Sequence, residues 1–579
     1  MRSIRLAAVV VVGLALPATL HAAPYASNVN VSGTTVNFIL NQTADTLKYS
    51  INGGAPVTIA DPSKGAKAFN LNSPTDKFSI IAELNDATGF SIATGNTIAA
   101  LSNSFGQSRP LPEAGLNLIS DDFNVLTHYN SPRGISINLN PNTPNFGTAY
   151  ITNSAGGNAT GRTLGDGLYA LRADQTDAFG YGDTAQQSTF LSATATANTP
   201  YRIFAASNGE VYVTGFGDAI SGVFRVSPDL LTLDNVLTAT TGPTALPPGQ
   251  NHGSVVATYV EGSIAGGNLV VYTMDEDLTT AQVTGTGSTT DLGSVWKYTI
   301  NGGPLPYSAM PTKLVGLPAP GATGDLDRGA DGKFYVSENR SAGNEAGLIV
   351  TDASGTVLWD SLTASKALAA PTTGNRVEAD YNTNDIVDGA DYVQWRKAKD
   401  SGPPLTQLDN NELPDSTGAA GLPAFGFGVT NDLDYGLWRA RFGRTADILT
   451  NLTQIAVSPD QKWLAGMTNG SDVYVLPLVN GIPDLANLRI VESGSINSGR
   501  DIAFDAAGNI HYVSSGQALY RVLAPGGHTV ATTAWNGSAY TFGISTLPGA
   551  GSGGAVPEPG TIALAVFGLL AGFSGRRRS

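Results

Sequence analysis

The chain has 579 residues, 32 Lys and Arg against 47 Asp and Glu, a formal net charge of −15, and no cysteine. An acidic body without basic clusters excludes nucleic acid as a partner, because phosphate binding needs Lys and Arg. The missing thiols exclude disulfides and thiolate metal sites, so burial, helped by calcium, must stabilise the chain.

Arg2 and Arg5 precede the apolar run Leu6 to Leu16, and Ala22 and Ala23 offer a small-residue cleavage site. This is the three-part form of a secretory signal peptide over 1–23, with the mature chain starting near Pro24. The body is mainly β: 69 glycines punctuate stretches in which Val, Ile, Tyr or Phe alternate with Thr, Ser or Asn, the pattern of short strands and tight turns.

Residues 24–105 form the first unit. Val29 to Val31 faces Thr35 to Ile39, Leu47 to Ile51 faces Val57 to Ile59 across Asn52-Gly53, and Ser79 to Glu83 adds a further strand. Asn-Gly readily takes the positive φ angles of a hairpin turn. The unit resembles an immunoglobulin-like sandwich.

From about 106 a repeat appears: an apolar strand, a turn with Gly, Asn or Asp, then a strand such as Val211-Tyr212-Val213, Phe334-Tyr335-Val336 or Ile510-His511-Tyr512-Val513. The turns fall at 147, 209, 267, 332, 461 and 508, so the intervals are 62, 58, 65, 129 and 47 residues. Periods of this size predict a β-propeller over 106–373 and 446–548, of six blades or seven. The alternative is a long sandwich array. The doubled interval marks an insertion.

That insertion, 374–445, contains Asp380-Tyr381-Asn382-Thr383-Asn384-Asp385-Ile386-Val387-Asp388-Gly389-Ala390-Asp391. Oxygen ligands for Ca2+ would be the side chains of Asp380, Asn382 and Asn384, the Ile386 carbonyl, Asp388, and Asp391 closing the loop. A helix is expected next, and Asp391-Tyr392-Val393-Gln394-Trp395-Arg396 recurs as Asp434-Tyr435-Gly436-Leu437-Trp438-Arg439. Tyr392 and Trp395, like Tyr435 and Trp438, share one helical face. The duplicated loop and helix resembles the dockerin type I module, which carries two EF-hand-like calcium loops and docks onto a cohesin in polysaccharide-degrading complexes. The second copy lacks its loop ligands, so one calcium site is expected. The four aromatic residues are candidates for partner binding or for the core of the insert.

No histidine forms a zinc pair or a nucleophile elbow. His511 reads as a packed strand residue. Asp325, Asp327, Arg328 and Asp331 read as a strand connection, as do Asp174 and Asp177.

In the last segment, 549–579, Pro557, Glu558 and Pro559 lead into an apolar run from Ile562 to Phe573 that stops at Arg576, Arg577 and Arg578. Twelve apolar residues reach roughly 18 Å as a helix, short of a ~30 Å bilayer core, so only transient membrane association is expected. The arginines would hold the C-terminal end inside and leave the proline pair outside. These residues resemble the PEP-CTERM sorting signal, which implies an exosortase-type processing enzyme as partner. Removing both ends leaves 27 basic against 47 acidic residues, a mature charge of about −20. The leading expectation is an exported, calcium-binding surface or matrix protein contacting protein or polysaccharide. The alternative is a glycosyl hydrolase or lyase, which would show carboxylates converging on the propeller axis.

Overall fold

The computed structural model describes residues 23–85, 116–118, 120, 124–364, 449 and 452–547, with breaks inside 124–364 and 452–547, and, of the insert, 389–401 and 435. The leader, the calcium loop 380–388, Trp438 and the tail with Pro557, Glu558, Pro559, Arg576, Arg577 and Arg578 lie outside the described residues.

The first hairpins form as the sequence pattern predicts. Ala26–Ser32 pairs with Thr35–Leu40, and Thr46–Ile51 pairs with Val57–Thr58 and with Phe78–Asn85. Asn52 and Gly53 between them both have positive φ. A three-stranded and a five-stranded sheet share one core built from Val36, Phe38, Leu47, Phe69, Phe78 and Ile80. The five-stranded sheet corrects the expected boundaries. Its last two strands, His528–Trp535 and Tyr540–Leu547, come from the far end of the body and pair with Phe78–Asn85, Trp535 opposite Phe78. Their Val, Thr and Trp alternation is that of any half-buried strand, so sequence periodicity assigned them to the propeller. The sandwich is therefore discontinuous, and the propeller is inserted into it.

Between those halves lie, among the described residues, six antiparallel sheets of three to five strands and one two-stranded hairpin, Gly157–Ala159 with Arg162–Leu164; the six are the blades. Their first strands are Pro132–Ile137, Ile203–Ala205, Val255–Glu261, Gly324–Arg328, Leu452–Val457 and Gly499–Phe504, here blades one to six. Every sheet packs on the next through its own apolar cluster, and the cluster joining Val513, Tyr520 and Val522 of blade six to Ile135, Ile151 and Tyr169 of blade one closes the ring. This is the arrangement of a six-bladed β-propeller. Closure is also made by hydrogen bonds: Leu116–Leu118, which precedes blade one in sequence, is the outermost strand of blade six, with Leu118 opposite Leu523. The turn positions 147, 209, 267, 332, 461 and 508 all have positive φ and all join the first strand of a blade to its second. The doubled interval also has its explanation, because the insert leaves after the last strand of blade four, Val357–Asp360, and returns before blade five.

The sandwich sits against the turn face of blades one and six. Tyr25 packs edge-on to Phe146 and Phe542 at 5.7 Å each, and the Asn28 N–H donates to the Phe146 carbonyl. Gly147 is required at this contact. Its φ is +82°, and a Cβ there would lie 2.7 Å from the Ser27 Cβ and 2.9 Å from the Tyr25 hydroxyl.

Ala364 and Leu449, on either side of the insert, pack into the same cluster between blades four and five. Replacing 366–448 by a short Gly-Ser linker should therefore leave the melting temperature within about 2 °C of the parent in calorimetry, whereas ending the chain at 527 should remove the sandwich transition altogether. A folded sandwich in the truncated chain would refute the discontinuous assignment.

Candidate functional site

Each first strand presents one edge to the propeller axis, and an exposed edge carries main-chain groups that need partners. Side chains of the neighbouring blade supply them. Asp325 on blade four accepts the Ile455 N–H of blade five at 3.1 Å, and Asp327 accepts that of Val457 at 2.6 Å. Asp501 on blade six accepts the Ile135 N–H of blade one at 2.7 Å, and Ser136 Oγ accepts the Ala205 N–H of blade two at 2.9 Å. Where blade one carries Gly134, the backbones approach directly. A Cβ there would meet the Ile203 nitrogen and the Tyr201 carbonyl oxygen at 2.8 Å. The second oxygen of each aspartate accepts an N–H from its own chain, from Leu326, Arg328 and Ile502 respectively.

These side chains border a cavity of about 230 Å³ on the axis, reached by all six first strands and including Phe204, Tyr259 and Arg202 among its walls. Arg202 is 4% exposed, Asp501 4% and Asp325 8%. The Arg202 Nη1 donates to the main-chain carbonyls of Arg133 and Arg500. Burial alone would lower the Arg202 pKa, but the carboxylates of Asp501 and Asp325 reverse that and hold the guanidinium charged. Burial is also the main force on the acids. It raises Asp325 and Asp501 above the usual carboxylate range against the pull of Arg202, and it pushes Asp327 up to about 7. The axis is thus a compensated cluster, one fixed cation among acids that take up protons readily, rather than an open acidic funnel.

The sequence reading of Asp325 and Asp327 as turn residues is corrected: both lie on a strand, Gly324–Arg328. Asp331 is in the turn and accepts the Lys333 N–H, and Asp174 and Asp177 hold turns through Thr176, Phe179, Gly180 and Gly182. His511 is packed on its strand, between the Tyr520 hydroxyl at 2.7 Å and the Asp505 carboxylate at 3.3 Å. Sequence reasoning missed Arg202 and Asp501. The signal was a spacing, because Arg202, Asp325 and Asp501 each stand seven residues before a turn glycine, at 209, 332 and 508.

In the insert, the expected helix forms as Gly389–Ser401 and contains Asp391, Tyr392 and Trp395. Trp395 is 4% exposed and stacks on Tyr392 at 5.5 Å, and Tyr435 from the second copy meets the Trp395 ring at 4.9 Å. The two copies thus meet through their aromatic residues, and Trp395 is core rather than free surface. Of the calcium ligands, Asp380, Asn382, Asn384, Ile386 and Asp388 fall outside the described residues. Among the described residues no group of three or more His, Asp or Glu is placed to hold a metal ion, and no helix is long and apolar enough to cross a membrane.

Comparison with known proteins identifies one family feature, a PEP-CTERM protein-sorting motif at residues 555–578. No curated protein matches the sequence. Among solved structures the chain is similar to a gluconolactonase from Xanthomonas campestris, at 12% identity and a TM-score of 0.32 over 74% of this chain and 92% of that one. It is also similar to a glucose dehydrogenase, at 9% identity and 0.33 over 70% and 98%, and to the WD40 β-propeller domain of Doa1, at 10% and 0.32 over 70% and 94%. Likenesses this distant carry no inference about activity.

The raised aspartate pKa values have a measurable sign. The folded chain holds these protons more tightly than the unfolded chain, whose Asp pKa is about 3.9. The stability they contribute is present below about pH 4 and, for Asp327, is lost as the pH rises to about 7. Melting temperature should fall from pH 5 to pH 7.5, and Asp327→Asn should flatten that slope whatever its offset. A parent slope of opposite sign would exclude the buried-acid description.

Proposed function

We propose that this is an exported cell-surface or extracellular-matrix protein whose propeller and immunoglobulin-like sandwich form a rigid carrier for contacts with polysaccharide. The observation that carries the reading is that all six oxygens of Asp325, Asp327 and Asp501 already accept main-chain N–H groups. Acid–base work on a glycosidic bond needs carboxyls that can turn toward substrate and exchange protons with it, and these hold the ring together instead. Export is supported by the sorting motif at 555–578, for which an exosortase-type enzyme is the proposed partner after Pro557, Glu558 and Pro559, with Arg576, Arg577 and Arg578 holding the end of the tail on the inner side until it is removed.

The convergence of Asp325 and Asp501 beside Arg202 is what favours the second reading, a glycosyl hydrolase or lyase. The two separate in one assay. The mature protein, passed over immobilised polysaccharides, is expected to be retained by at least one of them without producing new reducing ends. Retention with turnover would give the site to the enzyme reading.

The insert is proposed to bind one Ca2+ through Asp380, Asn382, Asn384, the Ile386 carbonyl, Asp388 and Asp391, with a cohesin-like protein as a further candidate partner. Two of the five side-chain ligands are neutral amides, which places the affinity at about 10⁻⁴ to 10⁻³ M, the extracellular class. Tyr381 lies inside the loop and should sensitise bound terbium. Terbium luminescence from the full mature chain should be displaced by calcium in that range and be lost in Asp380→Ala with Asp391→Ala; an unchanged signal in that double variant would remove the calcium site.

A further inference from the structure

We propose that the leader is cut between Ala22 and Ala23, and that the α-ammonium freed on Ala23 is a structural group, seated on Asn509 beside the Asp505 carboxylate where the sandwich meets blade six. The inference rests on the export reading and goes beyond it, by assigning the processed bond and giving its product a place in the fold.

The sequence offers two bonds to a leader peptidase, since Ala22 and Ala23 are both small. The fold separates them. Ala23, Pro24 and Tyr25 are buried, and the main chain of Ala23 is held from two sides. Its N–H donates to Asn509 Oδ1 at 3.4 Å, and its carbonyl accepts from Asn509 Nδ2 at 3.4 Å and from Asn41 Nδ2 at 3.3 Å. Asn41 also accepts the Tyr25 N–H at 2.7 Å. Asn41 follows the sandwich strand Thr35–Leu40, and Asn509 precedes Ile510–Ser514, the second strand of blade six, so residue 23 pins one body to the other. Its methyl lies in a cluster of small side chains from the same two bodies, Ala506 and Ala507 on blade six and Ala531 on the sandwich. A cut after Ala23 would discard these contacts and leave two buried amides, Asn41 and Asn509, without the groups they bind. That bond also precedes Pro24, whose nitrogen carries no proton and whose ring crowds the residue before it.

A cut before Ala23 keeps every contact and changes one group. Water is the co-reactant: its oxygen joins the Ala22 acyl carbon as a carboxylate on the departing leader, and the Ala23 nitrogen takes up protons to become an ammonium at neutral pH. The surroundings suit that charge. Asn509 Nδ2 donates to Asp505 Oδ2 at 2.6 Å, so the amide has an anion on its nitrogen side and gains a cation on its oxygen side, in line with its dipole. Asp505 is 1% exposed, and it accepts from the Ala507 and Asn509 N–H groups, the Asn509 side chain and His511. A buried carboxylate is stabilised by a positive group close by, and the new terminus brings one into this cluster. The field of Asp505 already reaches Tyr25, two residues on, whose pKa it raises further after burial has raised it. Hydrolysis must come before docking, because a peptidase needs an exposed, extended stretch and residue 23 is enclosed once the seam has closed.

The test starts from the protein exported by a producing cell, with its N-terminal peptide identified by mass spectrometry. The expected first residue is Ala23. An exported chain that starts at Pro24 or elsewhere would overturn the proposal and leave the export reading standing, whereas a chain kept inside the cell with 1–22 intact would overturn both. The seat is read by reductive methylation of the full mature protein, with Lys462, whose side chain is 66% exposed, as internal reference. The Ala23 amine should react at least about tenfold more slowly than Lys462 in the native protein and as fast in concentrated urea; equal native rates would overturn the seat. Asn509→Ala, shown to be folded by circular dichroism, should bring the native rate up to that of the reference. Inserting Gly-Ser between Ala22 and Ala23 moves the charge off the seat while leaving every side chain in place, and should lower the melting temperature by about 2 °C or more. Unchanged melting in that variant would overturn the structural role of the ammonium.

Discussion

The unsatisfied inner edge of each blade is the constraint from which the rest of this structure follows. Six first strands turn an edge toward one axis, where no further strand can pair with them, and a buried main-chain N–H left alone costs about 1–3 kcal/mol. The chain answers by letting one blade's side chain accept the next blade's N–H: Asp325 and Asp327 for Ile455 and Val457, Asp501 for Ile135, Ser136 for Ala205. The direction is the same in each case, from a blade to its successor, so the bonds also set the order of the ring.

That solution creates a second problem, because carboxylates drawn toward an axis repel one another and lose hydration. Arg202 meets it. It stands on blade two at the level that Asp325 and Asp501 occupy on blades four and six, and its charge is held by both. Burial raises the pKa values of the acids, which lessens the charge left to balance. The same residue then ties the mouth, since its Nη1 reaches the carbonyls of Arg133 and Arg500. Edge satisfaction, charge balance and the placement of two surface arginines are therefore one connected arrangement, and altering Arg202 would disturb all three.

The local half of this was legible in the sequence. All six turn positions were readable because positive φ selects Gly, Asn and a few tolerant residues, and the helix at Gly389–Ser401 was readable from its aromatic spacing. What was not legible depends on contacts across the whole chain. The strands His528–Trp535 and Tyr540–Leu547 have no local mark that sends them back to Phe78–Asn85, and Leu116–Leu118 is too short to announce that it closes blade six. Asp325 and Asp327 looked like turn formers because aspartate is common in turns and rare on strands. Only a neighbouring edge in need of acceptors explains them there.

A propeller axis is commonly the first place to look for chemistry, since it is concave and central. Here the polar groups at the axis are already used by the ring, and turning one toward a substrate would open a gap between blades. Four of the six first strands carry a register shift at their second position, at Arg133, Val256, Thr453 and Arg500, and Val256 and Thr453 there are buried. The axis is thus committed to closure, with the acids of blades four and six holding the ring around Arg202.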